Sequence, residues 1–433
     1  MPIVLMAQPT RTDTTVAVRE LTIGDVSPHV FANIFQVRQI AARQVLVNDG
    51  LRRQLLLLDD KLAPSRIVLD SVAEAGTERY GPGAAPIIAA LSDTTWFVDR
   101  QARALLVIDP VGKVVRTTAG PPQPMHLQSI SMGRSGVDAK GNLLFRAFTP
   151  PAPKRIGDTT ARIVITEARP PATAPILRAD FETRGVDTLG HLKQVSGIRV
   201  VATQSPPDRG SVVAYFHPLE TLDDWAVLAD GSVAIVRGAD YHVDLIRPDG
   251  RREAGPKLAF DWKSISETEK QRIVDSTRAA VDSLVARVTA QSGVTAANTA
   301  VAMMLEGMIT NLGSTPPTPP PPPPRTSPPG ERAQPPLKYE VVSSKELPDY
   351  YPPVRQGAAQ ADADGNLWIL PNTSAQSKAG ELVYDVVSGK GDLTERVRLP
   401  LGRSIAGFGK SGIVYLVSKE ADGWRLERAS VRR

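Results

Sequence analysis

Apolar residues along this chain come mostly in short runs of four to six, many of them alternating with polar ones, and the runs are punctuated by small polar turns. One punctuation mark recurs. The stretches "DAKGNLLFR" (138–146), "LADGSVAIV" (228–236) and "ADADGNLWILP" (361–371) share an Asp- or Lys-Gly turn followed by Asn or Ser and a strand-like run. A Gly at that place supplies the positive φ a short hairpin loop needs, and Asp and Asn tolerate and cap such turns. The flanking runs, rich in apolar and β-branched residues, predict strands.

A second element follows each turn, an apolar run closed by Asp or another turn: "QLLLLDDKLAPSRIVLD" (54–70), "ALLVIDPVGKVVRT" (104–117), "PILRADFETRGVDTL" (175–189), "HVDLIRPDGRRE" (242–253) and "ELVYDVVSGKGDLTERVRL" (381–399). Joined, the two elements make a four-stranded antiparallel unit, the signature of a propeller blade. The expected fold is all-β, a six-bladed β-propeller. Its blades are centred at 43–70, 91–117, 136–189, 224–254, 360–399 and 405–431. The last supplies only about three strands, and "TTVAVREL" (14–21) is expected to add the fourth and close the ring.

Two segments depart from this pattern. Residues 256–312 change to helical period: Ser264 with Glu267 fits a capping box, and Ile273, Val274, Val281, Leu284, Val285 and Val288 share a face. A second short helix is expected at 299–312. Then twelve of the 21 residues at 316–336 are Pro, a composition for polyproline II or disorder. The predicted organisation is therefore an N-terminal remnant (1–13), blades one to four with the closing strand (14–255), a helical and Pro-rich insertion (256–337), and blades five and six (338–433).

The chain has 433 residues, 42% of them hydrophobic, and no Cys, which excludes disulfides and thiolate chemistry. The formal charge of +5 and a pI near 9.3 raise the question of nucleic acid. Lys and Arg are scattered among Asp and Glu, however, with one dense run at "RLERASVRR", so no nucleic-acid partner is expected. No window approaches a membrane span. "MPIVLMAQ", ending in a small residue at Ala7, reads as the tail of a signal peptide, so export to the periplasm or outside the cell is expected.

Catalytic signatures are sparse. The five histidines, His29, His126, His191, His217 and His242, form no pair at metal-ligand spacing, and there is no GxSxG elbow, P-loop or GxGxxG. The acidic pairs Asp59–Asp60 and Asp223–Asp224 would point to opposite strand faces and cap turns. Propellers bind ligands where inner-strand ends and loops converge at one end of the channel. The candidates for that mouth are Asn48, Asp49, Asp99, Arg146, Trp225, Arg237, Tyr241, Tyr350, Tyr351 and Arg355. Such a mixture of Arg and aromatics suits an anionic or sugar-like ligand.

With "DADGNLWIL" as its clearest motif, the chain resembles the six-bladed propeller superfamily of NHL-repeat, streptogramin-lyase-like and gluconolactonase-like proteins. "DDWAVLADGSVAIVRGADYHVDLIRPDG" with "LPDYYPPVRQGAAQADADGNLWIL" is more closely similar to uncharacterised exported bacterial propellers that carry a helical insertion after the fourth blade. The resemblance covers about residues 15–255 and 338–433 and implies the fold. Enzymes of the superfamily use acidic and Asn ligands for a divalent metal, for which Asn48, Asp49 and Asp99 are the counterparts here; no His falls in the lyase motif. The expectation is a monomeric binding module for a protein, small molecule or sugar, with no cofactor. One alternative is a metal-dependent hydrolase or lactonase with an ion such as Ca²⁺. The other is a cell-envelope component docking through its insertion, which would leave Ile273, Val281 and Leu284 uncovered.

Overall fold

The computed structural model describes residues 16–72, 78–132, 134–148, 152–156, 164–169, 171–194, 198–205, 208–283, 285–286, 337–372 and 380–431. The N-terminal apolar stretch, Leu284, Val288, the helix expected at 299–312 and the Pro tract lie outside them. The described chain is all-β in a propeller-like arrangement, with little helix.

Strand β1 (Val18–Val26) is followed by a sheet of β2 (Gln36–Gln39), β3 (Val45–Asp49), β4 (Gln54–Leu58), β5 (Pro64–Asp70) and β6 (Glu78–Arg79), paired in that order. The next is β7 (Ile87–Ala89), β8 (Thr95–Asp99), β9 (Ala104–Ile108) and β10 (Val114–Ala119). A helix, α1 (Pro124–Met132), leads into β11 (Ser135–Val137) and β12 (Leu143–Arg146). The chain then leaves for β13 (Ala152–Ile156) and β14 (Val164–Arg169) before β15 (Thr173–Ala179) and β16 (Val186–Lys193) complete the third sheet, β11-β12-β15-β16. It leaves again for β17 (Ile198–Ser205) and β18 (Asp208–Phe216). The fourth sheet is β19 (Asp224–Val227), β20 (Val233–Arg237), β21 (His242–Ile246) and β22 (Arg252–Lys257). After the helical residues 267–283 comes β23 (Leu337–Val341). The chain ends with β24 (Ala359–Ala361), β25 (Leu367–Ile369), β26 (Val383–Val387) and β27 (Leu393–Arg398), then β28 (Arg403–Phe408), β29 (Ile413–Lys419) and β30 (Trp424–Val431).

Strand β1 joins the last two groups into one eight-stranded sheet. Its first residues pair parallel to β27 (Val18↔Arg396), and the rest pair antiparallel to β30 (Leu21↔Val431). The first strands of the groups touch one another in succession, β7 against β11, β11 against β19, β19 against β24, and β28 against β2.

Middle strands such as β3, β9 and β26 are buried along their whole length, because a sheet stands against each face. Outer strands such as β10 face water. The core therefore lies between sheets. Leu46, Leu55 and Leu57 pack on Ile87, Phe97 and Leu106, and Leu144 and Ile176 on Trp225, Val233 and Ile235. Each fully buried Leu or Phe stabilises the fold by about 1.5–3 kcal/mol.

The repeated phrase is a hairpin turn at each of its three places. In the last, Asp362 Oδ1 accepts from the backbone N–H of Asp364 (2.9 Å) and of Asn366 (2.8 Å), while Gly365 takes φ +89°. The first strands of the first two sheets, β2 and β7, begin earlier than the expected 43 and 91. They are three or four residues long, and "QVRQ" lacks an apolar alternation to announce it.

Two features differ from the sequence expectation. Strands β13, β14, β17, β18 and β23 make a separate five-stranded sheet, with β23 parallel to β18. The Pro-bearing stretch around 150–170 hides it. The helix at 267–283 packs on this sheet through Val274, which is buried with Val341, Val342 and Leu347, and through Ile273 beside Tyr215. Its cap is Ser266, whose Oγ accepts from the Glu269 N–H (3.2 Å), because Ser264 is taken up in a bridge with Tyr350. "SISETE" contains both capping spacings, and the bridge decides between them.

Candidate functional site

The ends of the second strands (β3, β8, β12, β20) and the entries to the first strands (β11, β19, β24) carry most of the expected site residues. In the first two sheets those residues are spent on the backbone. Asn48 is fully buried: its Nδ2 donates to the Ala85 carbonyl (2.7 Å), and its Oδ1 accepts from the Tyr80 hydroxyl (2.7 Å). Asp49, also fully buried, accepts from the N–H groups of Ala32 (2.8 Å), Asn33 (3.2 Å) and Arg52 (3.1 Å). Asp99 caps its own turn through Gln101 and Ala102 (both 2.9 Å). These three do not converge on one point and do not fit a divalent metal. No cluster of three or more His, Asp or Glu side chains among the described residues could hold one.

In the fourth sheet the expected residues are again structural. Trp225 is buried in the core between the third and fourth sheets, not at a mouth. Arg237 is clamped by Asp244 and Asp223 (both 2.7 Å), and it also donates to the His191 carbonyl (3.2 Å). Tyr241 is fully buried and donates to Asp385 (2.7 Å), which also takes Arg396 (2.8 Å). Burial, then the Asp385 charge, pushes the Tyr241 phenol well above its ordinary pKa. Tyr351 donates to Glu269 of the helix (2.7 Å), and Tyr350 is half exposed in the bridge to Ser264. Of the acidic pairs, Asp59 caps its turn through Lys61 and Ala63 (both 2.9 Å), while Asp223 accepts from Lys193 (2.9 Å).

Arg146 and Arg355 behave differently, and the structure brings Arg146 to the residue next to Arg355. Arg146 closes β12 and reaches the segment before β24, where the Gln356 amide oxygen, turned toward it, accepts from Nη2 (2.7 Å) and Nη1 (3.1 Å). A third arginine joins them. In the antiparallel register Ser135 lies opposite Phe145, with Arg134 one residue before it and Arg146 one residue after its partner. Arg134 Nη2 donates to the Gly357 carbonyl (2.6 Å), and its Nη1 is buried with no hydrogen-bond partner.

Both arginines thus bridge from the third sheet to the entry of β24, passing β19, which lies between β11 and β24. The first residue of β19 is Asp224, buried, with its carboxylate accepting the Ala359 N–H (2.7 Å). Arg355 stands beside Gln356, and its side chain makes no hydrogen bond or ion pair among the described residues; its carbonyl accepts the Ala358 N–H (3.2 Å). Burial draws the Arg134 and Arg355 guanidinium groups below their ordinary pKa. It also pushes the Asp224 carboxyl up, against the pull of Arg134, and the nearby Tyr384 phenol up to about 12. Of the three guanidinium groups, Arg134 is the one whose charge acts on Asp224. Guanidinium groups hold their protons at neutral pH, so the chemistry open to this set is the binding of anions rather than the transfer of protons.

No protein-family profile matches the sequence, and no curated protein matches it. Among solved structures the fold is similar to a virginiamycin B lyase from Staphylococcus aureus (9% identity, 95% of this chain and 99% of that one, TM-score 0.36). It is also similar to a gluconolactonase from Xanthomonas campestris (8% identity, 95% and 99%, TM-score 0.35). Regucalcin, a calcium-binding protein from Agrobacterium tumefaciens, is a third (8% identity, 96% and 97%, TM-score 0.36). No residue here takes its role from them.

Proposed function

We propose that the chain is an exported six-bladed propeller that serves as a binding module, with its ligand at the mouth formed by Arg134, Arg146 and Arg355–Gly357. The blade count takes the eight-stranded sheet as two blades stitched by β1. The six apolar clusters between successive blades support it, including the one that packs Val45 and Leu56 of the first blade on Tyr415 and Val417 of the last. The observation that carries the binding site is the meeting of Arg134 and Arg146, from one blade, with the entry segment of another two blades away. Export rests on the leader-like first eight residues; no helix among the described residues is long and apolar enough to cross a membrane.

Two rival readings are weaker. A metal-dependent hydrolase would need Asn48, Asp49 and Asp99 free, and all three are engaged by neighbouring groups of the chain. A docking arm would need an uncovered helix face, whereas Val274 and Val281 are buried.

The test is a thermal-shift titration with Ca²⁺, Mg²⁺, Mn²⁺ and Zn²⁺ against an EDTA control, beside a screen of metabolites and sugars on wild type and Arg355→Ala. Stabilising compounds that lose their effect in Arg355→Ala are expected, since a ligand at 100 times its Kd adds about 2.7 kcal/mol. A metal shift of several degrees that EDTA reverses, or turnover of lactones or esters, would sink the reading.

A further inference from the structure

We infer that the ligand of this mouth presents a compact oxyanion, a carboxylate or phosphate group, held between Arg134 and Arg146 with Arg355 on a third side. The inference rests on the binding-module reading and gives it a ligand class.

The side chains of Arg134 and Arg355 carry charge that no carboxylate among the described residues contacts. Arg134 directly precedes and Arg146 directly follows the paired residues Ser135 and Phe145, and both reach the segment before β24. Elsewhere this chain matches its sequestered arginines with carboxylates. Arg237 has Asp223 and Asp244, Arg396 has Asp385, Arg403 has Glu427, and Arg428 has Asp25. Arg38, which lacks a carboxylate in contact, fills one terminal nitrogen with the Ile88 and Thr94 carbonyls and the Thr95 hydroxyl. Arg134 and Arg355 have neither remedy. Arg134 makes one hydrogen bond, to a carbonyl, and keeps a buried Nη1 without an acceptor. The Arg355 side chain makes none. Asp224, whose charge acts on Arg134, holds the Ala359 N–H and makes no hydrogen bond to Arg134 among the described residues.

A buried charge without a partner is costly, and the usual remedy is a charge-assisted hydrogen bond. An oxyanion supplies several acceptors at once and restores the balance. A neutral sugar would leave two positive charges standing. The carbonyl of Gly357 and the amide of Gln356 fix two of the arginines from behind, so they are held in place before a ligand arrives, which lowers the entropy lost on binding.

The experiment is isothermal titration of succinate, inorganic phosphate and neutral glucose into wild type, Arg355→Gln, Arg146→Gln and Arg19→Gln at constant ionic strength. Arg19 is exposed and paired with Glu395 away from the mouth, and it serves as control. Saturable binding of succinate or phosphate is expected, weakened at least tenfold in Arg355→Gln and Arg146→Gln and unchanged in Arg19→Gln. Which of the two anions binds tells a carboxylate site from a phosphate site. Arg355→Lys keeps the charge and should retain part of the affinity, which separates loss of charge from loss of fold. Glucose binding without either anion overturns the oxyanion and leaves the binding module standing. Binding of none of the three removes the oxyanion, and the wider screen then judges the module. Anion binding untouched by the two mouth substitutions overturns the site.

Discussion

Two strand ends in this molecule are topologically alike and chemically opposite. Asn48 and Asp49 finish β3, and Arg146 finishes β12; each is the end of a second strand in its sheet. Around Asn48 and Asp49 the neighbouring loops supply a hydroxyl, a carbonyl and three N–H groups, and nothing is left for a ligand. Around Arg146 the approaching segment supplies an amide, with Arg355 next to it in the chain. What a strand end meets is decided by the loop that approaches it. Polar residue type alone does not distinguish the two ends.

The sharpest break in that comparison is Asn48→Ala. It strips partners from the buried Tyr80 hydroxyl and the Ala85 carbonyl and should cost about 3 kcal/mol in urea unfolding, two unmet buried groups at 1–3 kcal/mol each. A loss below about 1 kcal/mol would mean the pair is not structural. Asp49→Ala comes next: three N–H acceptor contacts go, at about 2 kcal/mol, though nearby water can reach Arg52. Both variants should leave oxyanion affinity where it was.

Arg355→Gln is the mirror image. Removing a sequestered charge that has no partner should change stability by less than about 1 kcal/mol, with a rise as acceptable as a fall, while affinity drops. If its midpoint in thermal melts falls by as much as that of Asn48→Ala, the two strand ends are not opposites after all.

The smallest effect belongs to Asp224. Burial raises its carboxyl pKa in the fold, so the native state holds that proton more tightly than the unfolded chain does. Its contribution is therefore full below the ordinary carboxylate range. It declines as pH rises through that range toward the raised value, and stays lost above it. Asp224→Asn should flatten this part of the stability profile, seen as a wild-type-minus-variant difference in melting temperature that is largest at neutral pH and shrinks on acidification. A difference independent of pH would show that Asp224 does not titrate there.

Much of this was legible before any coordinates. The hairpin turns declare themselves because a Gly at positive φ and an Asp that caps the loop are hard to replace. The middle strands declare themselves because burial on both faces makes them continuous apolar runs. The first strands do not, since a three-residue strand facing a channel needs no apolar residue. Neither does the five-stranded side sheet, which is assembled from three separated segments. Arg355 and Arg146 could be picked as polar residues beside inner strands. Arg134 was missed, although counting backward from Arg146 across the Lys140–Gly141 turn lands on it. Trp225 and Tyr241 were misplaced because an aromatic before a turn reads the same whether it faces a channel or the neighbouring sheet.

Strand β1 has a consequence for the order of events in the life of the chain. Leu21 pairs with Val431, so the first described strand finds its place only when the last one exists. Contacts that distant in sequence are slow to form. During synthesis β1 must wait, with both edges open, for some 400 residues to follow it. A second copy at the same stage offers the same vacancy, and an exchanged β1 would tie two rings into a dimer with every strand pairing preserved. Concentration during refolding should then decide how much of the protein ends as single rings.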